Sequence, residues 1–111
     1  MKKFINNVDD FLKESLNGFG KAHSEIIKVN FEPNFISRKT KTKEGKVSLI
    51  SGGGSGHEPM HGGFVGHGML DAACPGFVFS APTPDQMQAA AENVDSGAGA
   101  VSYTHLRAHE T

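Results

Sequence analysis

Cysteine is nearly absent from this sequence: Cys74 stands alone. A lone thiol excludes an intrachain disulfide framework and suits a reducing compartment. Long apolar runs are lacking too, and none approaches the roughly 20 residues that cross a bilayer. The opening Met1-Lys2-Lys3-Phe4 starts like a secretory leader, but Asn6, Asn7, Asp9 and Asp10 leave it no apolar segment. Nor does one sign of charge dominate. The net charge is −1 with acids and bases interspersed, so neither nucleic acid nor a membrane is an expected partner. A length of 111 residues supports one domain with a modest core rather than two. Hydrophobic content of 37% and a mean hydropathy of −0.34 are low without reaching the composition of a disordered chain. The expectation is a soluble, cytoplasmic α/β protein.

What is present has a clear order. Phe4, Ile5, Val8, Phe11, Leu12, Leu16 and Phe19 recur at three- and four-residue steps. That spacing predicts one helix with a single apolar stripe, ending at Gly18 or Gly20. Ile27, Val29 and Phe31 alternate with polar residues and predict a strand that stops at Pro33. Phe35 and Ile36 resume an extended segment. The basic run Arg38 to Lys46 is short and lacks interleaved aromatics, so it reads as a solvated loop. Val47-Ser48-Leu49-Ile50 predicts an interior strand, and Met69 to Ala73 a short helix broken at Pro75-Gly76. Phe77 to Ser80 reads as a further strand. Thr83-Pro84-Asp85-Gln86 predicts a helix start with Thr83 as N-cap, Pro84 in the first turn and Gln86 closing a capping box. Gly97 to Val101 points toward another strand, but the polar, aperiodic sequence that follows predicts none.

Between the interior strand and Met69 lies Ser51-Gly52-Gly53-Gly54-Ser55-Gly56-His57-Glu58-Pro59-Met60-His61-Gly62-Gly63, with six of the fourteen glycines. Glycines collect where backbone must approach something closely or turn with φ > 0. The stretch follows the carboxyl end of a strand, where open α/β sheets bind ligands. A nucleotide P-loop needs a lysine after its last glycine, and none follows. The dinucleotide fingerprint finds His57 or Pro59 where its third glycine belongs. The nucleophile elbow G-x-S-x-G finds His57 in place of its last glycine. His57-Glu58-Pro59-Met60-His61 does satisfy H-E-x-x-H, which would make His57 and His61 zinc ligands. That geometry needs a continuous helix, which Pro59 opposes. What remains is a backbone cradle for a small, oxygen-rich ligand, with Ser55 offering a hydroxyl and His57 a proton acceptor. His61 and His67 read as supporting loop residues. A small-ligand or anion-binding module without catalysis is the alternative.

The segment Gly45 to Gly63 closely resembles the signature of dihydroxyacetone kinases, in particular the N-terminal part of the substrate-binding K subunit. Gly66-His67-Gly68-Met69-Leu70, Ala73-Cys74-Pro75-Gly76 and Phe79 to Asp85 extend the likeness, as do Met1 to Asn6 and Lys21-Ala22-His23. The likeness runs from Met1 to about Val101. It implies an α/β fold with helices packed on a small sheet, here an incomplete N-terminal domain, in a subunit that is a homodimer when whole. It implies dihydroxyacetone as substrate, phosphorylated to dihydroxyacetone phosphate. The phosphoryl group would come through a nucleotide-binding L subunit recharged from phosphoenolpyruvate by an M subunit, or from ATP on a fused domain. Mg-ATP or Mg-ADP is thus expected on the partner, and no cofactor or metal in this subunit. By the same resemblance Gly54, Ser55 and Gly56 bind substrate and His57 is the catalytic acid/base.

The family's covalent substrate-binding histidine, and a Lys and Asp of the site, match nothing in this chain. His105, Arg107, His109 and Glu110 inherit none of those roles. Val101 to Thr111 looks like read-through of a sequencing adapter. The domain is therefore expected to span residues 1–100, with 101–111 a non-native or disordered tail. Half a site and an unfilled sheet position predict a fragment that is marginally stable and inactive alone.

Overall fold

A computed structural model describes residues 4–104. Helix α1 spans Phe11–Ala22 and is followed by strands β1 (Ile27–Asn30), β2 (Phe35–Arg38) and β3 (Ser48–Ser55). Strand β4 (Ala72–Val78), helix α2 (Pro84–Val94) and strand β5 (Ala100–Ser102) complete the order. The five strands form one mixed sheet in the order β1-β2-β4-β3-β5. β1, β2 and β4 pair antiparallel, whereas β4, β3 and β5 run parallel. Helix α2 is the crossover that carries the chain from β4 past β3 to β5.

Adjacent strand residues point to opposite faces, and the sheet accordingly carries two cores. On one face Leu16 of α1 packs with Ile27, Ile36, Val65, Leu70 and Ala73. On the other Ala90 and Val94 of α2 pack with Phe35, Ile50, Ala72 and Cys74. The expected α/β architecture, with helices on a small sheet, is the one observed.

Several local expectations are corrected. The first helix starts at Phe11 rather than Phe4. The Asn7 side chain accepts the Asp9 amide and opens a single 3-10 turn at Val8–Asp10, which leaves Val8 exposed. Gly18 and Gly20 lie inside α1 instead of ending it. A Cβ on Gly20 would come within 2.9 Å of Val29 Cγ2, so this glycine lets the helix lie close on β1. No helix forms at Met69 to Ala73. Ala72, Ala73 and Cys74 are fully buried in the central strand β4, where a helix covers each face and only small side chains fit. That burial overrides the helical preference of alanine. β4 also absorbs Pro75, opposite Gly53, where the β3–β4 register shifts before Ser55 pairs with Val78. A proline is tolerated in a sheet at such an irregularity.

Helix α2 starts as expected. Thr83 Oγ1 accepts the Gln86 amide, and the Gln86 side chain accepts the Thr83 amide. Past Ala100 the structure differs from the expected end of regular structure. Ala100–Ser102 pairs with β3 from Ser48 to Ile50, and the Tyr103 amide donates to the Ile50 carbonyl. All three β5 residues are exposed, so the strand is held by its ladder rather than by buried side chains, a signal that hydrophobic patterning does not carry. The expectations placed on His105, Arg107, His109 and Glu110 lie outside the described residues.

Candidate active site

The glycine-rich stretch is strand for longer than its composition suggests. β3 continues through Gly52, Gly53, Gly54 and Ser55, and the turn begins at Gly56. The protein's own groups press on this strand. A Cβ on Gly53 would meet the His61 ring at 2.7 Å, and one on Gly54 would meet the Ser80 amide nitrogen at 2.7 Å. Since 53 and 54 face opposite ways, the His61 ring covers one face of β3 and the Phe79–Ser80 turn covers the other.

The four residues expected to form the site are thereby placed. Ser55 is buried; its hydroxyl donates to the Gly76 carbonyl at 2.8 Å, and its own carbonyl accepts the Phe79 amide at 2.7 Å. The hydroxyl proton is used inside the protein, leaving acceptor capacity on the oxygen. Gly56, at φ +117°, donates its amide to Glu58 Oε2 at 2.9 Å on the exposed rim. A carboxylate oxygen thus already occupies a donor position of the cradle. His57 is exposed, and its imidazole stands edge-to-face to the Phe79 ring, with centroids 5.2 Å apart and planes at 88°.

On the opposite face, a cavity of about 320 Å³ lies between α1 and the glycine-rich turn. Leu16, Phe19, Ile36, Gly54, Met60 and His61 are among the residues lining it, whereas Ser55, Gly56 and His57 are not. His57 to His61 is a succession of bends and turns, not a helix. The His57 ring meets Phe79 on one side of β3 while the His61 ring meets Gly53 on the other. The shared helical face that H-E-x-x-H requires is therefore missing. Among the described residues no three His, Cys, Asp or Glu side chains gather as a metal site would need.

At the start of β3 stands a group the sequence reading passed over. Asp71 is fully buried, and four donors converge on its carboxylate: Lys46 Nζ at 2.8 Å, the Leu49 amide at 2.8 Å, Thr42 Oγ1 at 3.1 Å and Arg38 Nη1 at 3.2 Å. Burial pushes this carboxyl up, but Lys46, the Leu49 amide, Arg38 and Thr42 together outweigh it and hold it below its usual value. The basic run is thus not a solvated loop throughout. Arg38, Thr42 and Lys46, four residues apart, wrap one carboxylate. A signal for this was available: Asp71 sits in the otherwise apolar Met69-Leu70-Asp71-Ala72-Ala73, and a charge buried there needs partners. The sequence pattern makes Phe79 an ordinary strand residue, and nothing in it marks the contact with His57. Cys74 is inert by placement, since burial pushes its thiol up to about 12.

Comparison with known proteins agrees with the fold. The family model for the Dak1 domain matches residues 17–105. The dihydroxyacetone-binding subunit DhaK of the PEP-dependent dihydroxyacetone kinase from Escherichia coli is 50% identical over 99 residues, covering 89% of this chain and 28% of that protein. The corresponding subunit of the PTS-dependent kinase from Lactococcus lactis is 48% identical over 98 residues, covering 88% and 29%. Among solved structures, the dihydroxyacetone kinase from C. freundii in complex with AMP-PNP and Mg2+ superposes with a TM-score of 0.82 at 33% identity, covering 91% of this chain and 19% of that one. The chain spans about three-tenths of the length of the curated relatives it matches.

Proposed function

Because this chain belongs to the Dak1 domain family, we propose that it forms part of the substrate site of a kinase subunit that presents dihydroxyacetone for phosphorylation. The observation that carries this reading is the exposed His57 imidazole. It stands where β3 leaves the parallel part of the sheet by its carboxyl end, directly after Gly54, Ser55 and Gly56. That is where open α/β sheets gather their ligands. Gly56 offers an amide that already holds an oxygen of negative charge, and a substrate oxygen would take the place of Glu58 there. His57 would accept the hydroxyl proton of the substrate as that oxygen acquires the phosphoryl group.

The phosphoryl group would arrive from a partner. The phosphoenolpyruvate or phosphotransferase dependence of the bacterial relatives supports an L-type subunit holding Mg-ATP or Mg-ADP and an M-type donor, with the intact subunit a cytoplasmic homodimer. With three-tenths of a relative's length, this chain supplies one wall of the site. The 111-residue chain alone is therefore expected to form no stable covalent adduct with dihydroxyacetone, which intact-mass spectrometry checks; a stable adduct would overturn the partial-site reading.

His57→Ala in the intact subunit, assayed with its phosphoryl-donor partners, tests the role of the imidazole. Turnover should fall by about 10²- to 10⁴-fold with substrate binding kept; unchanged turnover would remove His57 from the chemistry. The carboxylate held by the Gly56 amide also supports a second reading, a binding module without catalysis. Retained binding together with unaffected turnover would favour that one.

A further inference from the structure

We propose that Phe79 is a positioning residue for the His57 imidazole. Phe79 is 68% exposed, so burial in the core does not account for its place. Its backbone takes φ +52°, a left-handed conformation that bulky side chains rarely adopt. Three features hold it there. The Phe79 amide donates to the Ser55 carbonyl at 2.7 Å, which ties the turn after β4 to the last residue of β3. The bare Cα of Gly54 admits the Phe79–Ser80 backbone, since a Cβ would lie 3.0 Å from Phe79 Cα and 2.7 Å from the Ser80 nitrogen. Gly56 admits the ring itself, since a Cβ there would lie 2.7 Å from Phe79 Cζ and 2.9 Å from Cε1.

The outcome of these constraints is one contact, the edge-to-face meeting with His57 at 5.2 Å and 88°. Aromatic rings favour that arrangement because the positive edge of one meets the negative face of the other. An exposed imidazole has otherwise free rotation about two bonds, and a proton acceptor works only when held in line with the proton it takes. Phe79 removes much of that freedom without touching the reacting atoms. Two of the glycines that the family likeness assigns to substrate thus also serve to seat the aromatic ring beside the base.

The inference rests on the reading of His57 as the proton acceptor, but its test does not. In the 111-residue chain labelled with [13C]histidine, the His57 ring signals are assigned by their loss in His57→Ala. They are expected to show nuclear Overhauser contacts to the Phe79 ring and a ring-current displacement from the free-histidine position. Phe79→Leu should abolish the displacement, and Phe79→Tyr should keep it. Phe79→Gly, which relaxes the backbone but deletes the ring, should also abolish it. A folded wild-type chain without His57–Phe79 contacts, or His57 signals that do not move in Phe79→Leu, would overturn the proposal. In the intact subunit Phe79→Leu should lower kcat about tenfold with KM nearly unchanged, and Phe79→Tyr should restore it. If the contacts and displacement are found but His57→Ala leaves turnover intact, the functional reading fails. If His57→Ala abolishes turnover while Phe79→Leu changes neither signals nor kcat, this inference fails alone.

Discussion

At its entry β3 is tied to a carboxylate, while just past its exit stands a histidine with one aromatic neighbour. Asp71 is fully buried, and its four donors reach it from the end of β2, the β2–β3 connection and β3 itself. His57 is exposed and meets Phe79 edge-on. Both are ionisable residues beside the same strand, yet their surroundings are opposite. A charge committed to four partners is locked into the fold and has nothing left to exchange with a ligand. An imidazole at the rim contributes little to holding the chain together and is available for proton transfer. Burial and partner number, rather than residue type, separate the structural end of this strand from the end proposed for chemistry.

The comparison breaks most readily at Asp71. Asp71→Asn leaves Arg38 and Lys46 without their anion, and removing one member of a buried ion cluster costs about 3–5 kcal/mol. Lys46 is 39% exposed and rehydrates in part, which places the expected loss near the lower figure; urea denaturation reads it. The pH dependence has a definite sign. A carboxyl held below its ordinary value, about 3.9, contributes stability that is fully present above that range. The contribution is lost as pH falls through the lowered native value. The wild-type chain should lose stability on acidification there, and Asp71→Asn should show a flatter acid limb. Next in size is Gly54→Ala, which drives a methyl against Ser80 and Phe79 backbone atoms. Such overpacking costs about 1–3 kcal/mol and should also disturb the His57 ring signals. Thr83→Ala deletes the side-chain half of the α2 cap and should cost about 1 kcal/mol, with no change at either end of β3. His57→Ala should be smallest, within about 0.5 kcal/mol by the same melt. A loss as large as that of Thr83→Ala would show that the rim is structural after all.

How far the sequence announced this arrangement follows from the range of each interaction. The α2 cap was legible because Thr83, Pro84 and Gln86 act on one another within a single turn. β1 was legible from alternation over a few residues, and β2 from the adjacent apolar residues Phe35 and Ile36. The end of β3 was not, because Gly52, Gly53 and Gly54 remain in a strand only where Cys74, His61 and Ser80 crowd them, and those contacts come from later in the chain. β4 misled for the same reason: alanines that favour a helix in isolation are also the side chains that fit between two helix-covered faces. At the site, His57 was singled out from its setting among glycines. Phe79 lies in a tight turn beyond a register shift, and no local spacing joins it to His57. Asp71 was legible in principle as a charge in an apolar run, but its three side-chain donors sat in a segment that resembled ordinary solvent-facing loop.

The strand order also has a consequence in time. β3 lies between β4 and β5, and both follow it in the chain. The Ser51 hydroxyl donates to the Tyr103 carbonyl across 52 residues. Synthesis adds roughly 5–20 residues per second, so several seconds separate the appearance of β3 from that of its last neighbour. The α1, β1 and β2 segment has close-range partners and can settle as it emerges. The glycine-rich strand cannot, and so the part of the molecule that carries His57 acquires its shape only after the α1, β1 and β2 segment during birth on the ribosome.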